Sequence, residues 1–248
     1  MLPDFHLGQW LVALVAAAGI GVSKSGLPGI SLLHVVLFAQ LFPGVQSTGV
    51  VLPMLIAGDI GAVLLFRRHA RWAHVARTLP PAVVGVVVGW WLMPRLSADH
   101  FRPIIGGIVL GLAGLQLLRD WRPDLWERAP HTLAFGWTVG FVAGVTTMVA
   151  NAAGPVMALY LLAVALPKDA FVGTSAWFFL LINGIKVPFS AQLGLISGST
   201  LAFNAVLVPV IVGGLFLGRS VVVRLPQKWF DTLILAFAGV AAVRLLSG

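Results

Sequence analysis

The chain has 248 residues, of which 59% are apolar and only 10% charged, at a mean hydropathy of +0.98. A soluble domain carries about 25% charged residues, so this chain cannot fold as a water-soluble globule, and its natural solvent is a lipid bilayer. The net charge of +8 would suit nucleic acid, but the basic residues lie in short loops between apolar runs, which is the pattern of membrane topology.

Cysteine is absent, which removes disulfides, thiol catalysis and thiolate metal sites. Met1 to Leu7 holds Asp4 and no Lys or Arg, so the first apolar run reads as a retained segment and not as a cleaved leader. In chain order the apolar runs fall at about 8–22, 28–42, 45–66, 79–94, 103–118, 132–149, 154–166, 170–190, 200–217 and 229–246. A bilayer core takes roughly 20 apolar residues per helix. Most of these runs are apolar on every side, as bundle-core and lipid-facing helices are.

The 28–42 and 154–166 runs are short, and each follows a polar break. The first reads Gly21-Val22-Ser23-Lys24-Ser25-Gly26-Leu27-Pro28-Gly29, the second Thr146-Thr147-Met148-Val149-Ala150-Asn151-Ala152-Ala153-Gly154-Pro155. They mark an internal repeat. With Pro43 placed on Pro167, Gly49 falls on Gly173 and Asp59 on Asn183. Dropping three residues between the breaks brings Pro28 onto Pro155 and Lys24 onto Asn151. The expected fold is an all-α polytopic membrane protein of two inverted repeats, residues 1–122 and 123–248. Each is a broken helix pair, re-entrant or a full hairpin, plus three transmembrane helices.

Loop charge supports the inversion. If each broken pair enters and leaves on one side, one face collects Arg67, Arg68, Arg71, Arg77, Arg119, Arg122, Arg128, Lys168, Arg219, Arg224 and Lys228. The other collects Arg95, Arg102 and Arg244, a split of eleven against three. With each pair as a single crossing the split falls to eight against six. The positive-inside rule then puts both termini outside, in the periplasm of a bacterial inner membrane. Trp72, Trp121, Trp126 and Trp229 lie beside the basic loops, where interfacial anchors belong.

Lys24 stands in an apolar region inside the first break. A cation at that depth costs at least about 2.5–3.5 kcal/mol unless it faces protein or water. Breaks also expose backbone N–H groups at the start of the next half-helix, which attract anions, and broken helices in inverted repeats are a usual build of secondary transporters. The alternatives are that Lys24 snorkels to an interface or ties structurally to Asp59. Asp59, mid-span between Gly58 and Ile60, reads as a coupling or gating acid or as the partner of Lys24. Asn183 and Lys186 share one helix face, and Lys186 has no acidic neighbour in its segment. Asn151 reads as a ligand-orienting amide or as interhelical glue. Ser23, Ser25, Thr48, Thr146, Thr147, Thr174 and Ser175 are neutral donors, with Gly26 and Gly154 at the breaks. His34 is solitary on an apolar helix and reads as a packed, neutral residue. No HExxH, phosphate-binding Gly-Lys-Ser/Thr loop, GxSxG elbow or Cys/His cluster is present. The expectation is a transporter and not an enzyme, with no cofactor, no metal and no nucleic-acid partner.

These residues carry a family resemblance. The run Gly49 to Trp72, with its basic loop Arg67-Arg68-His69-Ala70-Arg71-Trp72, and the run Val172-Gly173-Thr174-Ser175 through Asn183-Gly184-Ile185-Lys186 resemble the sulfite exporter TauE/SafE family, also called TSUP transporters. The first half departs from the second run's pattern with Thr48-Gly49-Val50, and the glycine-rich opening appears as Gly26-Leu27-Pro28-Gly29. The resemblance implies export of sulfite, sulfoacetate or another organosulfonate, coupled to an ion or proton gradient. Passive anion flow and transport of short carboxylates stay open. The residues expected to bind the anion are Lys24, Ser23, Ser25, Gly26, Thr147, Asn151, Gly154, Thr174, Ser175, Asn183 and Lys186, with Asp59 as the coupling or gating acid.

Overall fold

The computed structural model describes residues 3–27, 30–42, 45–95 and 132–224, with the isolated positions 121, 226 and 229. The apolar runs expected at 103–118 and 229–246 lie outside the described residues, as do Pro28, Pro43, Trp126 and the basic positions between 102 and 128. The described chain is helical. Its α-helices are α1 (Leu7–Lys24), α2 (Ser31–Leu41), α3 (Gln46–Phe66), α4 (Trp72–Leu92), α5 (Leu133–Ala150), α6 (Ala153–Ala163), α7 (Lys168–Gln192) and α8 (Gly198–Arg224). Six of them, all but α2 and α6, are long and apolar enough to cross a membrane. With Leu11, Val15, Leu64, Val84, Phe216 and Leu217 among the exposed apolar side chains, the bundle presents lipid-facing flanks and the chain is a multi-pass membrane protein.

The two 11-residue helices, α2 and α6, rise about 16 Å each, half a bilayer. Each folds back on the helix before it. Phe42, just past α2, packs on Phe5, just before α1, at 5.7 Å between ring centroids. Tyr160, near the end of α6, packs on Phe135, near the start of α5, at 5.9 Å. Both pairs are therefore hairpins with their tips inside the bundle.

Helices α3 and α7 run antiparallel. Gly49, early in α3, lies against Leu195, just beyond α7. Gly173, early in α7, lies against the carbonyl of Phe66, where α3 ends, and against Ala70. On the flanks, α4 packs on α5 and α1 on α8, each pair parallel. Gly140 meets Thr78, Gly144 meets Ala82 and Gly89 meets Met148. On the other side Gly214 meets Ala18 and Gly218 meets Val22. Small residues let these backbones approach, since in lipid packing and not the hydrophobic effect holds helices together.

Two boundaries differ from the sequence expectation: α8 runs on to Arg224, past the expected 217, so Arg219 and Arg224 lie on a helix, and α4 begins early. Residues 67–77 read as a basic loop, yet a 3-10 turn covers Arg67–His69 and α4 begins at Trp72. The polar residues of its first turns have inward partners. His74 Nδ1 lies 2.9 Å from Tyr160 Oη, and the stem of Arg77 covers Gly136. Hydropathy alone marks such a turn as loop because its burial is made by partners on another helix.

Most of the described arginines gather at one end of the bundle, with Arg95 beyond the far end of α4. Lys168 Nζ donates to the carbonyl of Val222 at 2.9 Å, Arg219 stands 5.8 Å from the centre of the Phe66 ring, and the Arg71 N–H donates to Thr174 Oγ1 at 2.9 Å. The opposite end holds Phe5, Trp10, Phe42 and Phe203, with ring centroids 5.6–5.8 Å apart.

Candidate functional site

The tips of the two hairpins meet between α3 and α7. The first tip forms because α1 stops at Lys24 and Gly26 takes a φ of +117°, which a side chain would resist. The hydroxyls of Ser23 and Ser25 donate back to the carbonyls of Ile20 and Val22, at 2.8 and 2.7 Å. The second tip forms because Asn151 adopts the left-handed region at φ 53°, which asparagine tolerates better than most residues. The N–H of Ala152 closes the helix on the Thr146 carbonyl at 3.2 Å.

Between the tips lies a cavity of about 550 Å³, counted with its mouth. Ser23, Lys24 and Gly26 come from the first tip, and Thr147, Asn151 and Gly154 from the second. Ser31 and His34 come from α2, while Ser175 and Asn183 line it from α7. Leu55, Phe171 and Phe179 make an apolar wall. The starts of both half-helices thus face the same space, and each carries about half a positive charge.

The ionised groups stand in two hydrogen-bonded sets. Lys24 Nζ stands 2.6 Å from Asp59 Oδ1 and 4.6 Å from the centre of the Phe179 ring. Asp59 is fully buried, and its other oxygen accepts from Asn183 Nδ2 at 2.7 Å. That bond leaves Asn183 Oδ1 without a partner among the described residues. Lys186, also buried, donates to the Thr147 carbonyl at 2.7 Å, to Thr147 Oγ1 at 3.2 Å and to Asn151 Oδ1 at 2.6 Å. The Asn151 amide in turn donates to the Thr48 carbonyl at 3.0 Å. Lys186 is therefore held at the C-terminal end of α5, where the helix dipole favours a cation, by groups with no formal charge.

Eight of the residues expected from the sequence line the cavity: Ser23, Lys24, Gly26, Thr147, Asn151, Gly154, Ser175 and Asn183. Four stand apart from its wall. Ser25 is buried against Gly218, Thr174 braces the Arg71 backbone, and Asp59 and Lys186 sit behind Lys24, Asn183 and Asn151. Ser31, His34 and the aromatic wall were not among the expected site residues. The available signal for the first two was spacing: Ser31 and His34 are three apart at the start of a half-helix, on one face. Among the described residues no group of three or more His, Cys, Asp or Glu is placed to hold a metal ion.

The family model described as "Sulfite exporter TauE/SafE" matches residues 11–245. The chain belongs to that family. TauE/SafE proteins are transporters and not enzymes. The matched span of this TauE/SafE chain contains both hairpin tips and every residue that lines the cavity. Its Val172-to-Ser175 stretch does two tasks: Val172 and Ser175 face the cavity, and Thr174 fastens α7 to the basic turn. No curated protein and no solved structure matches the chain.

Proposed function

We propose that this protein is a secondary transporter that exports a small organosulfur anion, such as sulfite, sulfoacetate or another organosulfonate, across a bacterial inner membrane. The observation that carries the reading is the cavity itself, which joins an ammonium group, two half-helix starts and a short apolar wall. The head of the anion sits near Lys24, Ser31 and the amide of Asn151, and its carbon stem lies along Leu55, Phe171 and Phe179. Lys186 acts through its charge and by holding Asn151, and Asp59 is the coupling or gating acid. Desolvation of the anion is offset by the helix ends and by ammonium groups already in place.

Alternating access by two inverted repeats fits this geometry. The antiparallel α3 and α7, and hairpins that open at opposite ends, are what such a relationship requires. Asn151 also lines a second, smaller cavity together with Val35, Phe38, Ser47, Thr48, Val51 and Ala150. In this reading Asn151, tied to Thr48 and Lys186, is the partition between two access routes. The partition opposes free flow and favours a gated carrier over a passive channel. The basic end is cytoplasmic and the termini periplasmic, in line with the loop charge.

The test is concentrative flux. Purified protein in lipid vesicles is expected to accumulate sulfoacetate against its own gradient when a proton or sodium gradient is imposed, and to stop when the gradient is collapsed. Equilibration without accumulation would make it a channel. Preference for acetate or propionate over sulfoacetate would move the substrate class to short carboxylates.

A further inference from the structure

Of the two titratable side chains that line the cavity, Lys24 and His34, the transport reading leaves the chemistry of His34 unused. It sits in the first turn of α2, is 1% exposed, and faces the cavity. Neither ring nitrogen has a hydrogen-bond partner among the described residues. Buried polar groups are almost always satisfied, so a buried imidazole on a cavity wall, with neither nitrogen partnered among the described residues, is placed for something that the cavity receives.

Charge decides what that is. Helix α2 carries no other titratable group, and it packs against α1, α3 and α6. Of these, α1 presents Lys24 and α3 presents Asp59. Helix α6 offers only Tyr160, whose hydroxyl is with His74 at the basic end. From α7 behind them comes Lys186. With both lysines ionised, two ammonium groups and one carboxylate leave one positive charge around the cavity. A singly charged anion cancels it. A doubly charged anion overshoots by one, and a buried charge without compensation is costly. One proton on His34 restores the balance, taken at one ring nitrogen while the other N–H points to the anion.

We propose that His34 is the proton-accepting ligand of the transported anion, taking up one proton when a doubly charged organosulfonate enters and none when a singly charged one does. The proposal rests on the anion-transport reading above and adds to it the group that links substrate to proton.

The experiment is titration calorimetry of the purified full chain with sulfoacetate and with methanesulfonate, in buffers of different ionisation heat. Both anions keep their charge between pH 6 and pH 8. The expected result is uptake of about one proton with sulfoacetate, with affinity rising about tenfold for each pH unit lowered while His34 is neutral in the free protein. Methanesulfonate is expected to bind with no uptake and no such slope. His34→Gln keeps a donor of similar size but accepts no proton, so its sulfoacetate binding is expected to lose both uptake and slope. Retention of the proton by His34→Gln overturns the proposal, and so does equal uptake with the two anions, or none with either. If His34→Gln cannot be purified, His34→Asn takes its place in the same comparison. A parent that binds neither anion overturns the organosulfonate reading itself, whereas a parent that binds sulfoacetate without a proton overturns only the role of His34.

Discussion

Asp59 and Asn183 stand 124 positions apart in the chain and meet through a hydrogen bond of 2.7 Å. The same offset carries Pro43 onto Pro167 and Gly49 onto Gly173. Under an approximate two-fold relation between the halves, a residue meets its own counterpart only where it lies on the axis. The Asp59–Asn183 contact is thus the place where the proposed repeats would turn about one another, and it is also where the only carboxylate of the described helix network holds Lys24.

That position makes Asp59→Asn a test of structure and of coupling together. The substitution leaves Lys24 without its counter-charge, and breaking a buried ion pair costs about 3–5 kcal/mol. The thermal midpoint of the purified protein is expected to fall by several degrees. Replacing Lys24 by Met in the same chain should recover much of the loss. If Asp59 also gates transport, the surviving fraction of Asp59→Asn will show an altered pH profile of flux. A variant with parental stability and a parental pH profile would reject both roles.

The orientation can be read with single cysteines, because the chain has none of its own. Arg68 is exposed at the basic end and Ser199 is exposed at the start of α8. An impermeant maleimide added to intact cells should label Ser199→Cys and spare Arg68→Cys until the membrane is opened. The reverse pattern would turn the proposed topology over.

Helix packing gives a paired prediction. A Cβ on Gly144 would run into the backbone of Ala82, whereas nothing lies within 4 Å of one placed on Gly184. Gly144→Ala must push α4 and α5 apart and should lose stability of the order of 1–3 kcal/mol. Gly184→Ala should be neutral or slightly stabilising, since it lies in a helix interior where alanine is preferred by about 1 kcal/mol. Equal thermal midpoints for the two variants would contradict the close approach.

Lys186 calls for a charge-retaining control. Lys186→Ala removes a cation and also frees Asn151 Oδ1, so anion affinity should drop on both counts. Lys186→Arg keeps the charge but must fit a larger head into a site where Nζ makes contacts at 2.6, 2.7 and 3.2 Å, so recovery should be partial. An alanine variant that binds as the parent does would remove Lys186 from the site.

Much of this was legible in the sequence, for physical reasons. Apolar runs measure depth in a bilayer, so spans and the two breaks could be placed, whereas the expected repeat register aligned Asp59 with Asn183 as counterparts and did not say that they touch. Hydropathy does not say which way a side chain points around its helix. That is why Lys186 read as a free cation, although it is held by Thr147 and Asn151, and why His34 read as packing although it borders the cavity. The start of α4 was missed for a related reason. Its first turns are polar, and what buries them is Tyr160 and Gly136, far away in the chain.

The two tips supply the last prediction. Lys24 and Asn151 fall on one another in the proposed repeat register, stand at the ends of their respective helices, and both line the cavity. Lys24 brings a formal charge that Asp59 already shares, so its part in anion binding is the component not spent on the ion pair. Asn151 brings an amide nitrogen that donates one N–H to the Thr48 carbonyl, leaving a second N–H for the anion. Lys24→Ala should therefore weaken binding of every anion, and should also destabilise the protein because Asp59 loses its partner. Asn151→Ala should weaken binding with less change in stability, and should discriminate between anions of different shape, because a lost hydrogen bond is directional where a lost charge is not. Removing the amide also opens the partition toward the Thr48 cavity, so Asn151→Ala vesicles should leak substrate down its gradient. The affinities and the leak rate can be measured on the same preparations once each is shown to be monodisperse. Should both alanine variants bind sulfoacetate as tightly as the parent, the anion is held elsewhere and the site at the hairpin tips is wrong.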